Sequence, residues 1–180
     1  MEKLSNEVTL GHAKEDLRQA MSARVAAPCP CCGQKCVVRK RKLAENHGAT
    51  LCFLVWLYEQ DYMPHHYLAL RYPFGQHYEH SVQDFAWMKN DGWDLVRAIT
   101  TSDPEHTDIV HMRKGDPDAP YSGFYVPTER GILFANNQLS VPKFLDRFNG
   151  HTVRKHGGLV NIKDLQGEHF NYAEMQGKMI

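Results

Sequence analysis

Four of the five cysteines in this chain fall within eight consecutive residues, Cys29 Pro30 Cys31 Cys32 Gly33 Gln34 Lys35 Cys36. Two thiols separated by two residues, with a proline after the first and a glycine after the second, describe a tight turn in which backbone amides approach the sulfurs. That is one half of a tetrahedral zinc site, and a complete site needs four ligands. Cys29, Cys32 and Cys36 are therefore the candidate metal ligands, and zinc is the candidate cofactor. The fourth ligand would come from His47, His151 or His156, from Cys31 in a strained arrangement, or from a second chain. The plainer reading is a loop that happens to carry thiols, because a zinc site with a missing ligand is not a site. In a reducing compartment such a cluster points to metal or to reactive thiols rather than to a disulfide framework.

Val37 and Val38 separate the cysteines from Arg39 Lys40 Arg41 Lys42, four basic residues in a row. Contact with phosphate and a solvated flank are the two readings of such a run. From Asp61 to His80 the chain is rich in aromatics and histidine, including His65, His66, His77 and His80. These histidines lack the i, i+4 spacing of a helical zinc pair, so a small histidine-rich metalloenzyme is only a minor alternative. Asp103, Glu105, Asp108, Asp116 and Asp118 lie in a polar insert from Thr101 to Pro120 that ends in turn chemistry. Carboxylates in an open loop have no pocket in which to act as acid and base. No reaction centre emerges, and the expectation is a protein that is not an enzyme.

The elements that must position these residues read as an α+β chain. At 180 residues, with 42% hydrophobic and 23% charged residues, the chain is long enough for one compact domain or a domain with an appendage. Residues 1–38 read as an N-terminal helix and a cysteine knuckle, and residues 39–180 as the main domain with a small strand and helix extension at its C-terminal end. The apolar stripe Leu4, Val8, Ala13, Leu17, Ala20 and Met21 predicts an amphipathic helix from about Asn6 to Ala23, a packing helix or dimer arm. Leu43 to Tyr58 predicts a helix apolar over most of its circumference, with the basic run at its start, where the helix dipole disfavours it. Shorter helices are expected over His65 to Arg71 and over Ser81 to Lys89, the latter closed by Gly92. Strands are expected over Trp93 to Thr100 and Gly123 to Val126. Thr128 is the expected N-cap of a helix through Phe134. Val141 to Phe148 reads as a short helix stopped by Asn149 Gly150, Thr152 to Ile162 as a strand pair around Gly157 and Gly158, and Phe170 to Met175 as a closing turn. The first residues show no secretory signal, and the longest apolar run, Ala49 to Tyr58, is far short of the ~20 residues that span a bilayer. The expected location is the cytoplasm, with no membrane partner.

A helix, a two-stranded ribbon and a second helix opening on Thr128 Glu129 Arg130 Gly131 resemble the winged-helix module of small regulators. Cys29 Pro30 Cys31 Cys32 Gly33 Gln34, the basic Arg39 to Lys42, the Asp84 Phe85 helix with Lys89 and Gly92, Thr128 to Gly131 and Val141 Pro142 Lys143 Phe144 together resemble a group of small tailed-bacteriophage proteins. This resemblance covers roughly Cys29 to Met175. It implies a winged-helix-like core of three helices plus a two- or three-stranded wing, a phage origin and the host cytoplasm.

On that footing the expected function is nucleic-acid binding, in transcription or genome processing, with DNA as partner. Gln83 and Asn90 would read base edges, while Arg39, Lys40, Arg41, Lys42, Lys89, Arg97, Arg113 and Lys114 would meet phosphates. Three helices and a ribbon between Arg39 and Phe134 would form a single docking surface. The alternative is a non-enzymatic protein-interaction module that docks on a host or phage protein, with a homodimer through the N-terminal helix as the route to self-association. Against tight nucleic-acid binding stands the charge balance, 21 Lys and Arg against 21 Asp and Glu, because non-specific affinity is mostly phosphate neutralisation.

Overall fold

A computed structural model of the chain describes residues 10–60, 65–66, 85–99 and 124–177. Helices and antiparallel sheets make the chain α+β. In chain order the elements are α1 (Leu10–Ser22), β1 (Ala27–Pro28), β2 (Lys35–Cys36), β3 (Arg39–Lys42), α2 (Glu45–Glu59), β4 (His65–His66), a 3₁₀ turn (Phe85–Met88), β5 (Val96–Ala98), β6 (Phe124–Pro127), α3 (Glu129–Ala135), β7 (Val141–Phe148), β8 (His151–Val160), α4 (Ile162–Gln166) and α5 (Tyr172–Gly177). The chain divides into two compact units, Met1–Lys42 with Phe144–His156, and Leu43–Lys143 with Gly157–Ile180. Among the described residues, no helix is long and apolar enough to cross a membrane.

In the first unit, Ala13, Leu17, Ala20 and Met21 form the half-buried stripe of α1, at the helical spacing expected from the sequence. The helix ends without a glycine. Arg24 takes the left-handed conformation instead, with φ of 56°. Its N–H donates to the Met21 carbonyl at 3.1 Å and the Val25 N–H to the Ala20 carbonyl at 2.8 Å, the two bonds of a Schellman cap. β1 and β2 then form a hairpin around the cysteine loop, with Ala27 opposite Cys36 and Pro28 opposite Lys35. β3 pairs antiparallel with β7, Lys40 opposite Asp146 and Lys42 opposite Phe144, and β8 lies on the far side of β7.

The second unit is built on α2. This helix buries Leu51, Leu54, Val55 and Leu57 and packs against β6, α3 and α4. Its N-cap, Ala44, has no side-chain acceptor. The His47 imidazole fills part of that role by accepting the Ala44 N–H at Nδ1, 3.0 Å away, while Glu45 puts an acid in the first turn where the dipole favours it. β6 is the middle strand of a sheet with β4 and β5. Trp93 is buried, and its indole N–H donates to the Pro142 carbonyl at 2.6 Å.

The corner between β5 and α3 turns on Leu95. Its carbonyl accepts the Thr128 N–H at 3.1 Å. The Thr128 hydroxyl donates to the Asp94 carbonyl at 2.8 Å and accepts the Gly131 N–H at 3.1 Å. Thr128 is thus the N-cap that the sequence predicts. A Cβ on Gly131 would run into the Leu95 carbonyl oxygen itself, so only glycine lets α3 sit this close.

Several expected elements differ. Val141–Phe148 is a strand, not a helix, because Asn149 and Gly150 (φ 46° and 83°) form a two-residue hairpin turn into β8 rather than a helix stop. β8 runs unbroken through Gly157 and Gly158 instead of forming a strand pair. Arg39–Lys42 is a strand before α2 rather than the helix start. At His65–His66 the backbone is extended and pairs with Tyr125 and Phe124, where a helix was expected. The expected Ser81 helix is a single 3₁₀ turn at Phe85–Met88, residues 81–84 being outside the described set. The insert from Thr101 to Pro120 lies outside the described residues as well.

Gly131→Ala should lower unfolding free energy by about 3 kcal/mol through overpacking against the Leu95 carbonyl. Gly158→Ala, where a Cβ meets open space, should change it by less than about 0.5 kcal/mol. Urea unfolding of the two variants beside the parent checks the pair.

Candidate functional site

The charge that is balanced over the whole chain is divided between the units. The first holds twelve Lys and Arg against five Asp and Glu, a formal net charge of +7, and the second nine against sixteen, −7. Within the first unit the basic residues converge on the β3–β7–β8 sheet. Arg39, Lys40 and Lys42 are exposed on β3, and Arg154 and Lys155 on β8. Because directly opposed strand residues share a face, Lys40, Lys42, Phe144 and Asp146 lie on one side of β3 and β7. Lys40 Nζ stands 3.7 Å from the centroid of the Phe144 ring, a cation–π contact. The His156 ring lies 5.6 Å from the same ring at 29°.

Asp146 anchors this face. Only 5% exposed, its carboxylate accepts from Arg24 Nη2 at both oxygens, 3.0 and 2.9 Å, and from Arg24 Nε at 3.2 Å. His156 Nε2 lies 3.1 Å from Oδ1. Burial alone would raise the carboxyl pKa, but the hydrogen bonds from Arg24 and His156, with the charges behind them, hold it below the ordinary value. Arg147 is held by Thr152 Oγ1 at 3.0 Å and by the Gly150 carbonyl, across the turn that joins β7 and β8.

The cysteine loop is the second grouping in this unit. The Cys29 N–H donates to the Gln34 carbonyl at 2.7 Å and the Gly33 N–H to the Cys29 carbonyl at 2.8 Å, with Gly33 at φ 72°. Hydrogen bonding from the backbone amides of Cys32 and Cys31, then from the Cys32 thiol, lowers the Cys29 pKa. This is the approach of amides to sulfur that the turn chemistry predicts. Cys36 is buried, its thiol pointing to the Gln34 carbonyl at 3.6 Å. Burial, followed by the neighbouring charge of Cys29, pushes its pKa up. All the cysteines are free thiols. Among the described residues, no group of three or more His, Cys, Asp or Glu is arranged to hold a metal ion. Of the histidines considered as a fourth ligand, His47 is buried in the second unit, His156 is engaged with Asp146, and His151 is exposed at the start of β8.

The expected nucleic-acid residues are thus divided. Arg39, Lys40, Arg41 and Lys42 belong to the first unit, with Arg41 half-buried. Lys89, Asn90 and Arg97 belong to the acidic second unit, Asn90 and Arg97 exposed and Lys89 half-buried. Gln83, Arg113 and Lys114 lie outside the described residues. No family model matches the chain, and neither a curated protein nor a solved structure matches it.

Sequence reading missed Arg24, Asp146, Arg154, Lys155 and the role of His156. Asn149 Gly150 flanked by apolar residues is a hairpin signal that would have brought Arg154 and Lys155 beside β7. For Arg24 no local signal exists, because its αL conformation stands where a glycine is usual.

Two variants separate backbone strain from ion pairing. Arg24→Ala should cost about 2 kcal/mol by leaving the buried carboxylate short of donors. Arg24→Gly should cost about 1 kcal/mol less, because glycine accepts φ of 56° without strain. Since the folded-state pKa of Asp146 is depressed, its stabilisation is complete above the unfolded value of about 4 and is lost as pH falls through the folded one. The stability gap between the parent and Asp146→Asn should therefore narrow below about pH 4. Urea unfolding across that range reads the gap, and a gap that stays constant would contradict the assigned role.

Proposed function

We propose that the chain binds nucleic acid, with duplex DNA as partner, and that the β3–β7–β8 sheet of the first unit supplies the phosphate contacts. The observation that carries this reading is the division of charge into +7 and −7 between the two units. Overall neutrality argued against phosphate binding, but a partner within a Debye length of the basic unit, about 10 Å at 0.1 M salt, feels the local charge. Arg39, Lys40, Lys42, Arg154 and Lys155, all exposed, are the phosphate-contacting residues of the proposal. Arg41 and Arg147 sit among them and add to the positive field.

The finer reading of the second unit is a winged-helix-like scaffold used in transcription or genome processing. It is supported by α2, the antiparallel β5–β6 ribbon and the Thr128-capped α3. Among the described residues, the 3₁₀ turn at Phe85–Met88 is too short to lie along a major groove as a reading helix does, and the basic sheet carries the binding energy instead. Asn90 and Arg97 keep a secondary part.

A second reading, a module that docks on a protein, is favoured by Val153 and Leu159. These residues of β8, an edge strand of its sheet, are 55% and 68% exposed.

Fluorescence anisotropy of a labelled duplex, titrated with the full chain between about 50 and 200 mM salt, tests the proposal. With five phosphate contacts the slope of log K against log salt should be about −4.5. Lys40→Ala with Lys42→Ala should reduce its magnitude by about 2, uniformly across duplex sequences. Absence of binding, or binding that ignores salt, would sink the proposal and leave the protein-docking reading in its place.

A further inference from the structure

We propose that the tip of the β7–β8 hairpin enters the major groove of duplex DNA, where the side-chain amide of Asn149 recognises adenine. The inference rests on the nucleic-acid reading, which assigns phosphate contacts to this sheet but none of its residues to the bases. Among the described residues, the pairing of β3 with β7 ends at Arg39 opposite Arg147. Phe148, Asn149, Gly150 and His151 therefore extend past the third strand as a two-stranded tip. At a rise of about 3.4 Å per residue, two residues on each arm carry it roughly 7 Å beyond β3. The major groove is about 8.5 Å deep and about 12 Å wide, enough for a two-stranded ribbon, whereas the minor groove, about 6 Å wide, is too narrow.

The tip is both accessible and held in shape. Asn149, Gly150 and His151 are exposed, and a Cβ placed on Gly150 would meet open space. Asn149 and Gly150 hold φ of 46° and 83°, the tight turn that an asparagine–glycine pair forms readily. Arg147 braces that turn from its base, donating to Thr152 Oγ1 at 3.0 Å and to the Gly150 carbonyl. A carboxamide fixed at such a point presents a donor and an acceptor side by side. That pair matches the N7 acceptor and N6 amino donor of adenine, which lie together only on the major-groove edge. Phosphates line the groove on both sides, and Arg39, Arg154 and Lys155 stand exposed on the two outer strands of the sheet to meet them. The acid of β7, Asp146, is engaged by Arg24 and His156, so its charge is met within the protein.

Selection of the full chain on a duplex library randomised over its central positions, followed by sequencing of the bound fraction, tests the proposal. The parent should enrich adenine at a defined position. Asn149→Gly keeps a turn that accepts positive φ and removes only the amide. It should erase that preference and weaken binding to the selected duplex by about 5–150-fold, while the salt dependence stays unchanged because no phosphate contact is lost. Asn149→Asp also suits the turn but leaves acceptors alone, and should move the preference from adenine to cytosine, whose N4 amino group donates. On the parent chain, 7-deazaadenine in place of the selected adenine removes the N7 acceptor and should weaken binding, a readout that needs no variant. Duplex binding with the expected salt dependence but no enriched base, or an adenine preference that Asn149→Gly leaves intact, would overturn the base-reading role alone. Failure to bind any duplex would overturn both this role and the nucleic-acid reading.

Discussion

The buried carboxylate of Asp146 holds the first unit together. In a unit with net charge +7, an acid only 5% exposed would be costly if it stood alone, because removing it from water forfeits its hydration. Arg24 supplies a two-pronged guanidinium and His156 an imidazole nitrogen, which replace that hydration with donors set at fixed angles. Each donor comes from a different element, the end of α1 and the strand β8, while Asp146 belongs to β7. One side chain therefore ties the end of α1 to the β7–β8 hairpin, two parts of the unit that the chain itself does not bring together. It also explains why α1 ends on an arginine in the left-handed region. The backbone cost there, about 1 kcal/mol, is offset by delivering the guanidinium to the acid.

The second unit rests on a different constraint, the carbonyl of Leu95. A backbone oxygen can be approached this closely only by groups without a side chain in the way, and Thr128 N–H and Gly131 meet that demand from the first turn of α3. Asp94 reaches the corner through a left-handed backbone, φ 61°, and the Thr128 hydroxyl closes on its carbonyl. The ion pair between Arg130 and Asp94 beside it, 3.6 Å and largely exposed, adds little, as surface pairs do. α2 closes the unit from above through apolar contact. Gly48 of that helix lies so near α4 that a Cβ would meet Ile162 and Leu165.

These two constraints bear on function through charge. A chain with equal numbers of acids and bases looks indifferent to phosphate, yet interactions in salt solution are local. What matters is which charges share a surface, and that is set by strand pairing. β3 alone is a short basic strand. Beside β7 and β8 it becomes part of a sheet bearing basic residues on both edge strands, with its one buried acid, Asp146, turned inward to Arg24 and His156.

Features closed within a few residues were legible in the sequence. The stripe of α1, the body of α2, the cap at Thr128 and the cysteine turn each depend on neighbours three to five positions away, where composition and spacing speak directly. The four basic residues from Arg39 were equally plain as a cluster, but their conformation was not. Whether they open a helix or form a strand depends on β7, which meets them more than a hundred residues later, and β7 is itself a strand because Asn149 and Gly150 turn it into a hairpin with β8. Residue types and local turns thus follow from the sequence by itself. The sheet, the burial of Asp146 and the separation of charge were decided only by tertiary structure, because hydrogen bonds between distant strands leave no periodic trace in either strand alone.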